Sequence, residues 1–221
     1  MIDVRSYPRW VWSAGSGLAA VAAALWLGAA LIGGPVDLAP RERAFRAKIK
    51  TVRNGHSVKL KDGRKLKYAG IRSLFPSEPL FEKAKERNAE LVGDKTVRLR
   101  FEGEPDQDAE RIRGYAFTRK GFINEILVRE GLAYVRSTST EHRFADKLLE
   151  AQKHARRKGI GVWKNRKNSH KASYPADPKY GNFHRPDCAE VAKIKPGRRI
   201  SFKSAREALA GGFAPCSHCT P

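Results

Sequence analysis

Four residues near the C-terminus have the types and spacing to hold a metal ion. Cys216-Ser217-His218-Cys219 is a Cys-x-x-Cys turn, and Cys188 stands before it with 27 residues intervening, with His184 three intervening residues before that. A Cys-x-x-Cys turn directs two thiolates at one ion. His184 and Cys188 add a second pair, completing four soft or borderline donors, the tetrahedral set that Zn²⁺ takes in a closed structural site. All three cysteines of the chain are used this way, so no coordination position is left for a reactive water. The odd, clustered count argues against a disulfide framework. The segment of ~40 residues around the ligands is too short to build a core unaided and needs such a staple. A redox Cys-x-x-Cys would sit in a βαβ pattern, which this segment lacks. His218, trapped between two cysteines, is poorly placed to replace His184.

The second chemical signal is charge. Of 221 residues, 44 are Lys or Arg and 23 are Asp or Glu, giving a net charge of +21. Such a balance makes polyanions the natural partners, nucleic acid or an anionic membrane surface, and excludes a generic acidic enzyme. A hydrophobic content of 41% excludes disorder over the whole length.

The elements that must position these groups fall into blocks. Residues 1–9 form a short flank. Residues 10–34, from Trp10 to Gly34, carry no charge, enough to span a bilayer core as a helix. The run exceeds a signal-peptide h-region and contains no A-x-A site, so an uncleaved transmembrane anchor is expected. Arg5 and Arg9 precede it, and Arg41, Arg43, Arg46, Lys48 and Lys50 follow. The positive-inside rule then tilts the rest of a single-pass membrane protein toward the cytoplasm.

From Phe45 the pattern becomes short strands with turn punctuation. Phe45 to Val52 alternates, Asn54-Gly55 turns, His56 to Lys61 returns, Asp62-Gly63 turns again, and Lys65 to Ile71 makes a third strand. A helix is expected over Glu78 to Val92, strands over Lys95 to Phe101 and Arg111 to Thr118, a helix over Phe122 to Glu130, a brief strand at Ala133 to Val135, and a helix over Arg143 to Lys158 stopped at Gly159. The expected fold class is α+β, mainly a five-stranded OB-type Greek-key barrel with three helices over residues 45–163, with some other α+β domain as the alternative that pattern alone leaves open. Residues 164–180 are polar, basic and carry two prolines, a flexible linker. Residues 181–221 form the small zinc module, with a strand over Arg199 to Phe202 and a helix over Ser204 to Ala210.

The runs TVRNGHSVKLKDGRKLKYAGI, FEKAKERNAELVGDKTVRLRF, RIRGYAFTRKGFINEILVREGLAYV and LLEAQKHARRKGIGVW resemble, in this order, a thermonuclease (staphylococcal-nuclease-like) domain. The resemblance implies an OB-fold barrel and, in active members, calcium-dependent phosphodiester hydrolysis. It also locates the site. The D-G-D-T of active members falls on Asn54-Gly55-His56-Ser57, and their R-L-A-G-I-D-A-P-E on Lys67 to Phe75. The two metal-binding carboxylates thus fall on His56 and Arg72, and the general-base glutamate on Phe75. Of the two phosphate-gripping arginines, the first becomes Lys67 and the second matches Arg113. Calcium wants oxygen ligands, which an imidazole and a guanidinium do not offer, and Phe75 accepts no proton. Ca²⁺ is therefore not expected. Lys67, Arg72 and Arg113 remain as a cationic groove for nucleic acid.

The C-terminal run FHRPDC, with KIKPGRRISFKSAREALAGGFAPCSHCTP, resembles the metal-binding module of Ada-type DNA-repair proteins. There the first ligand is the methyl-accepting cysteine; His184 stands in its place and cannot take that role. The expected function is membrane-anchored nucleic-acid binding without calcium-dependent cleavage. The rivals are an active nuclease of the same family and an interaction module at anionic lipid.

Overall fold

A computed structural model of the chain describes residues 45–93, 95–103, 109–138, 143–164, 173–219 and 221. The 10–34 segment expected to cross a membrane lies outside them. Among the described residues no helix is long and apolar enough to do so.

Alternation of apolar and basic residues creates the first strands. In β1 (Phe45–Asn54) Ala47 and Ile49 are buried while Arg46, Lys48 and Lys50 face solvent, the period of a half-buried strand. β2 (Ser57–Leu60) returns antiparallel across a two-residue turn, and β3 (Lys65–Tyr68) pairs with β2. The first turn is held by the Asn54 side chain, whose Oδ1 accepts from the His56 N–H at 3.0 Å and the Ser57 hydroxyl at 2.9 Å. Gly55 is needed for close approach: a Cβ there would lie 2.6 Å from Ser73 Oγ and 2.9 Å from the Ala84 Cβ.

β5 (Thr96–Arg100) joins the other edge of β1, and β6 (Arg111–Thr118) joins β5. β6 then pairs in parallel with β3, closing a five-stranded barrel in the order β3-β2-β1-β5-β6. β7 (Gly121–Phe122) extends β6 as a hairpin, and β4 (Ile71–Ser73) pairs with β8 (Ala133–Val135) beside the barrel. The α+β class and the barrel agree with the sequence expectation.

Three helices pack outside: α1 (Phe81–Val92), α2 (Ile123–Arg129) and α3 (Ala145–Lys158). Each is fastened by one buried amide. Asn88 of α1 donates to the Asn54 carbonyl at 2.8 Å and accepts from the Tyr68 hydroxyl at 2.8 Å. Asn124 of α2 accepts from the Ala116 N–H and donates to the Ala69 carbonyl. Gln152 of α3 accepts from the Val135 N–H at 2.9 Å. Helix α1 starts at Phe81 rather than at the expected Glu78, because Glu78 folds back: its carboxylate accepts from the Phe75 N–H at 2.6 Å and the Tyr134 hydroxyl at 3.0 Å. Helix α3 ends as expected at Gly159, a left-handed cap.

The C-terminal part is a four-stranded sheet in the order β11-β9-β10-β12, formed by β9 (Tyr174–Asp177), β10 (Asn182–Phe183), β11 (Ile200–Phe202) and β12 (Ala214–Pro215), with α4 at Ala205–Ala210. Here the expected linker needs correction. Its residues Tyr174–Asp177 form an inner strand, so the ordered module begins before residue 181. The module is also not a separate body, since Ala44–Pro221 is one unit. Gln152 donates to the Leu209 carbonyl at 2.8 Å, and the Ser137 N–H donates to the Gly212 carbonyl at 2.8 Å.

Replacing Gln152 by Leu would strand the Val135 N–H and the Leu209 carbonyl in the interior. At about 1–3 kcal/mol for each unsatisfied group, Gln152→Leu is expected to destabilise barrel and module together by about 2–6 kcal/mol. Denaturant unfolding should show one transition with a lower midpoint. A barrel transition at its wild-type position would show the two parts to be independent.

Candidate metal centre and cationic cleft

The seam that closes the barrel determines which side chains meet outside it. In the β3–β6 register Leu66 stands beside Ile112, both buried, whereas Lys65 stands beside Arg111 and Lys67 beside Arg113. Lys59 of β2 is in turn the partner of Lys65. Like charges directly opposite one another are destabilising, yet this seam carries them on two rungs. Lys67 is held below the usual lysine pKa, first by partial burial and then by Arg113, Arg136 and Arg111.

His56 lies in the turn above this seam. Its Nδ1 is 3.0 Å from Asn54 Oδ1. The amide oxygen only accepts, so Nδ1 carries the proton and Nε2 the lone pair. Burial and then the charges of Arg136, Lys67, Arg72 and Arg113 hold its pKa down to about 3. The imidazole is thus neutral through the physiological range, and four cations converge on it. Asn54 acts on the turn and not on a ligand.

Arg72 departs from the expected open groove. It is 5% exposed, with its guanidinium 4.1 Å above the Phe75 ring and 5.0 Å from the Tyr134 ring. Its Nη2 is 4.0 Å from Glu78 Oε2, and Nε, Nη1 and Nη2 make no hydrogen bond. Burial lowers its pKa to about 10 despite the opposing pull of Glu78, so it stays charged at neutral pH. Lys67 and Arg113 are exposed; Arg72 contributes its field from below. Phe75, at the position the resemblance gives to a base, is a stacking partner for that cation.

Two members of the constellation were not legible as such. Arg136, just beyond β8, heads the charges acting on His56 and donates its backbone N–H to the Gly70 carbonyl at 2.9 Å. Glu78 neutralises Arg72 from three residues past Phe75. Nothing local in the sequence marks Arg136, and the sequence marks Glu78 only as a carboxylate three residues past Phe75 that could replace the missing base, not as the partner of Arg72.

The candidate metal ligands are brought together by the sheet. β10 and β12 are parallel with Phe183 opposite Pro215, so the next residues, His184 and Cys216, emerge side by side. The ligand atoms of His184, Cys188, Cys216 and Cys219 all lie within 4.8 Å of one another, and His184 Nδ1 is 3.6 Å from Cys188 Sγ. Donors of a tetrahedral site with metal–sulfur bonds of about 2.3 Å sit about 3.8 Å apart, so the cluster can close on an ion with small shifts. Two backbone amides already point at sulfur: Arg185 N–H at 3.3 Å from Cys219 Sγ and His218 N–H at 3.4 Å from Cys216 Sγ. Burial lowers the pKa of His184, favouring the ligating neutral ring. Burial also pushes the Cys219 thiol up to about 12, a cost that a bound cation reverses by stabilising the thiolate.

Full-length protein is expected to purify with about one transition-metal ion per chain, and Cys216→Ser or Cys188→Ser to lose it together with the folding of the module. Elemental analysis and far-UV circular dichroism check this, and a fully loaded, folded variant would mean that the ligand set is wrong. For His56, the folded pKa near 3 lies below the ordinary 6.5, so the unfolded chain binds the extra proton. Stability should therefore fall as the pH drops from about 6.5 toward 3. The His56 ring should show no titration by NMR between pH 8 and 5, and His56→Gln should remove its share of the acid sensitivity.

Against known proteins, residues 47–165 match the family described as staphylococcal nuclease homologue, in agreement with the closed barrel. Residues 173–221 match a family of unknown function, DUF6233, whose boundary falls at the start of β9 rather than at residue 181. No curated protein matches the chain. Since the first match covers more than half of the 221 residues, and the barrel carries its cleft on the matched strands, the chain belongs to the staphylococcal nuclease homologue family.

Proposed function

We propose that this chain binds nucleic acid through phosphate contacts on its barrel and does not cleave it with calcium. The observation that carries the proposal is the exchange of charge in the cleft. Where the family resemblance calls for carboxylates stand a neutral His56, a buried Arg72 and an apolar Phe75. Glu78 stays hydrogen-bonded beside Arg72, and a divalent cation entering there would meet the guanidinium. A polyanion laid along the seam would meet Lys65, Lys67, Arg111 and Arg113 together. Lys67 and Arg113 are the residues we assign to phosphate. The ion of the C-terminal cluster is Zn²⁺ in this reading, because three thiolates and one imidazole form a closed soft set. The module is then a zinc-stabilised, Ada-like platform without repair chemistry, and residues 10–34 anchor the chain in a membrane with its barrel on the cytoplasmic side.

Cleavage is tested with the full-length chain on single- and double-stranded DNA and RNA, in calcium and in chelator. No calcium-stimulated release of nucleotides is expected. Robust calcium-dependent cleavage that disappears in Arg113→Ala would overturn this reading. Binding is tested by its salt dependence: changing Lys67 and Arg113 to Gln should lower the log–log slope by about 1 per residue. It should also cost more affinity than changing Lys167 and Lys171 to Gln in the basic segment before β9. Equal losses would leave only a non-specific polycation.

A further inference from the structure

Tyr180 is the one large apolar side chain among the described residues that is exposed, with 54% of its surface in solvent. It stands on the turn between β9 and β10, and that turn is unusually well fixed. Asp177, only 3% exposed, makes four of the hydrogen bonds that hold it. The Asp177 carbonyl accepts from the Tyr180 N–H at 3.1 Å and the Gly181 N–H at 2.9 Å. Its Oδ1 accepts from the Lys179 N–H at 3.0 Å, and its Oδ2 from Arg198 Nη2 at 2.8 Å. The same contacts place two cations beside the ring: Lys179 Nζ is 5.5 Å and the Arg198 guanidinium 5.9 Å from its centroid.

The turn is also seated against the cleft. Gly181 adopts φ +63°, and a Cβ there would lie 2.4 Å from the Ser137 carbonyl oxygen and 3.0 Å from Arg136 Cγ. Arg136 is the leading charge acting on His56. Gly181, the residue after Tyr180, therefore meets Arg136, whose charge acts on His56.

A single exposed tyrosine requires no explanation in itself. An exposed aromatic ring on a hydrogen-bonded turn, flanked by two cations, is the combination that binds single strands, where bases stack on the ring and basic groups track the backbone. We propose that Tyr180 is a base-stacking platform, with Lys179 and Arg198 as its phosphate contacts. Through it the C-terminal module extends the barrel's cleft into a track for single-stranded nucleic acid. The proposal rests on the phosphate-binding reading of the cleft given above.

The test uses the full-length, metal-loaded chain and homopyrimidine strands of DNA and of RNA, with a duplex of equal length for comparison. Tyr180→Leu keeps apolar bulk but removes the flat face. It should weaken single-strand binding roughly 5- to 150-fold, the range of one lost stack, on whichever strand type binds, and change duplex binding less than about twofold. Tyr180→Trp should keep the affinity, and the new indole should be quenched by bound strand. Both variants should retain their metal. Wild-type single-strand affinity in Tyr180→Leu, equal loss on strand and duplex, or an unquenched Tyr180→Trp would overturn the platform. If Lys67→Gln/Arg113→Gln still weakens binding in that case, the cleft stands and only the platform falls. If the wild-type chain binds no oligonucleotide, the phosphate reading itself falls.

Discussion

The parallel pairing of β3 with β6 closes the barrel, and its register puts Leu66 against Ile112 on the inside and Lys67 against Arg113 on the outside. The two faces of one seam are thus in conflict. Apolar contacts within the barrel hold the strands at hydrogen-bonding distance, and the exposed rungs push apart. Burial of side chains such as Leu60, Leu66, Leu99 and Ile71 contributes about 1.5–3 kcal/mol each, well above the fractions of a kcal/mol at stake in a surface like-charge pair. The core therefore wins, and the positive potential outside is fixed by the fold rather than by chance side-chain rotamers.

The remaining architecture serves to hold this seam and its neighbours still. Asn88, Asn124 and Gln152 each sit in a helix and each bond to backbone next to the cleft: at Asn54, at Ala69 and at Val135. A buried amide tolerates little displacement, because every lost partner leaves an unsatisfied group. Gln152 extends the arrangement to the C-terminal part through Leu209. Cys216 of the Cys/His cluster lies near enough to Arg72 to favour its charged form, after Glu78 and Tyr134.

Much of this was legible from local pattern. The alternation over Phe45 to Ile71, the turn at Asn54-Gly55, the stop at Gly159 and the cluster of His184 with the three cysteines are each set by residues close in sequence or by ligand chemistry. What escaped depends on distant partners. Tyr174-Pro175-Ala176-Asp177 looks like linker because proline lacks the N–H of a central strand. Pro175 is tolerated because its carbonyl, which accepts from the His184 N–H, is the group in use. Arg72 looks like a surface charge until Tyr134 and Glu78 close over it, and the start of α1 slips because Glu78 has a tertiary role. Arg136 and Tyr180 gain meaning only where the module meets the barrel.

The packing of Arg72 has an evolutionary consequence. Exchanging it alone for aspartate would set a second carboxylate beside Glu78, with the Phe75 ring left over an empty space. Removing one partner of a buried ion pair costs about 3–5 kcal/mol, a large part of a domain's stability. The side chains at positions 72, 75 and 78 are therefore energetically coupled, and a substitution at one changes what the other two tolerate.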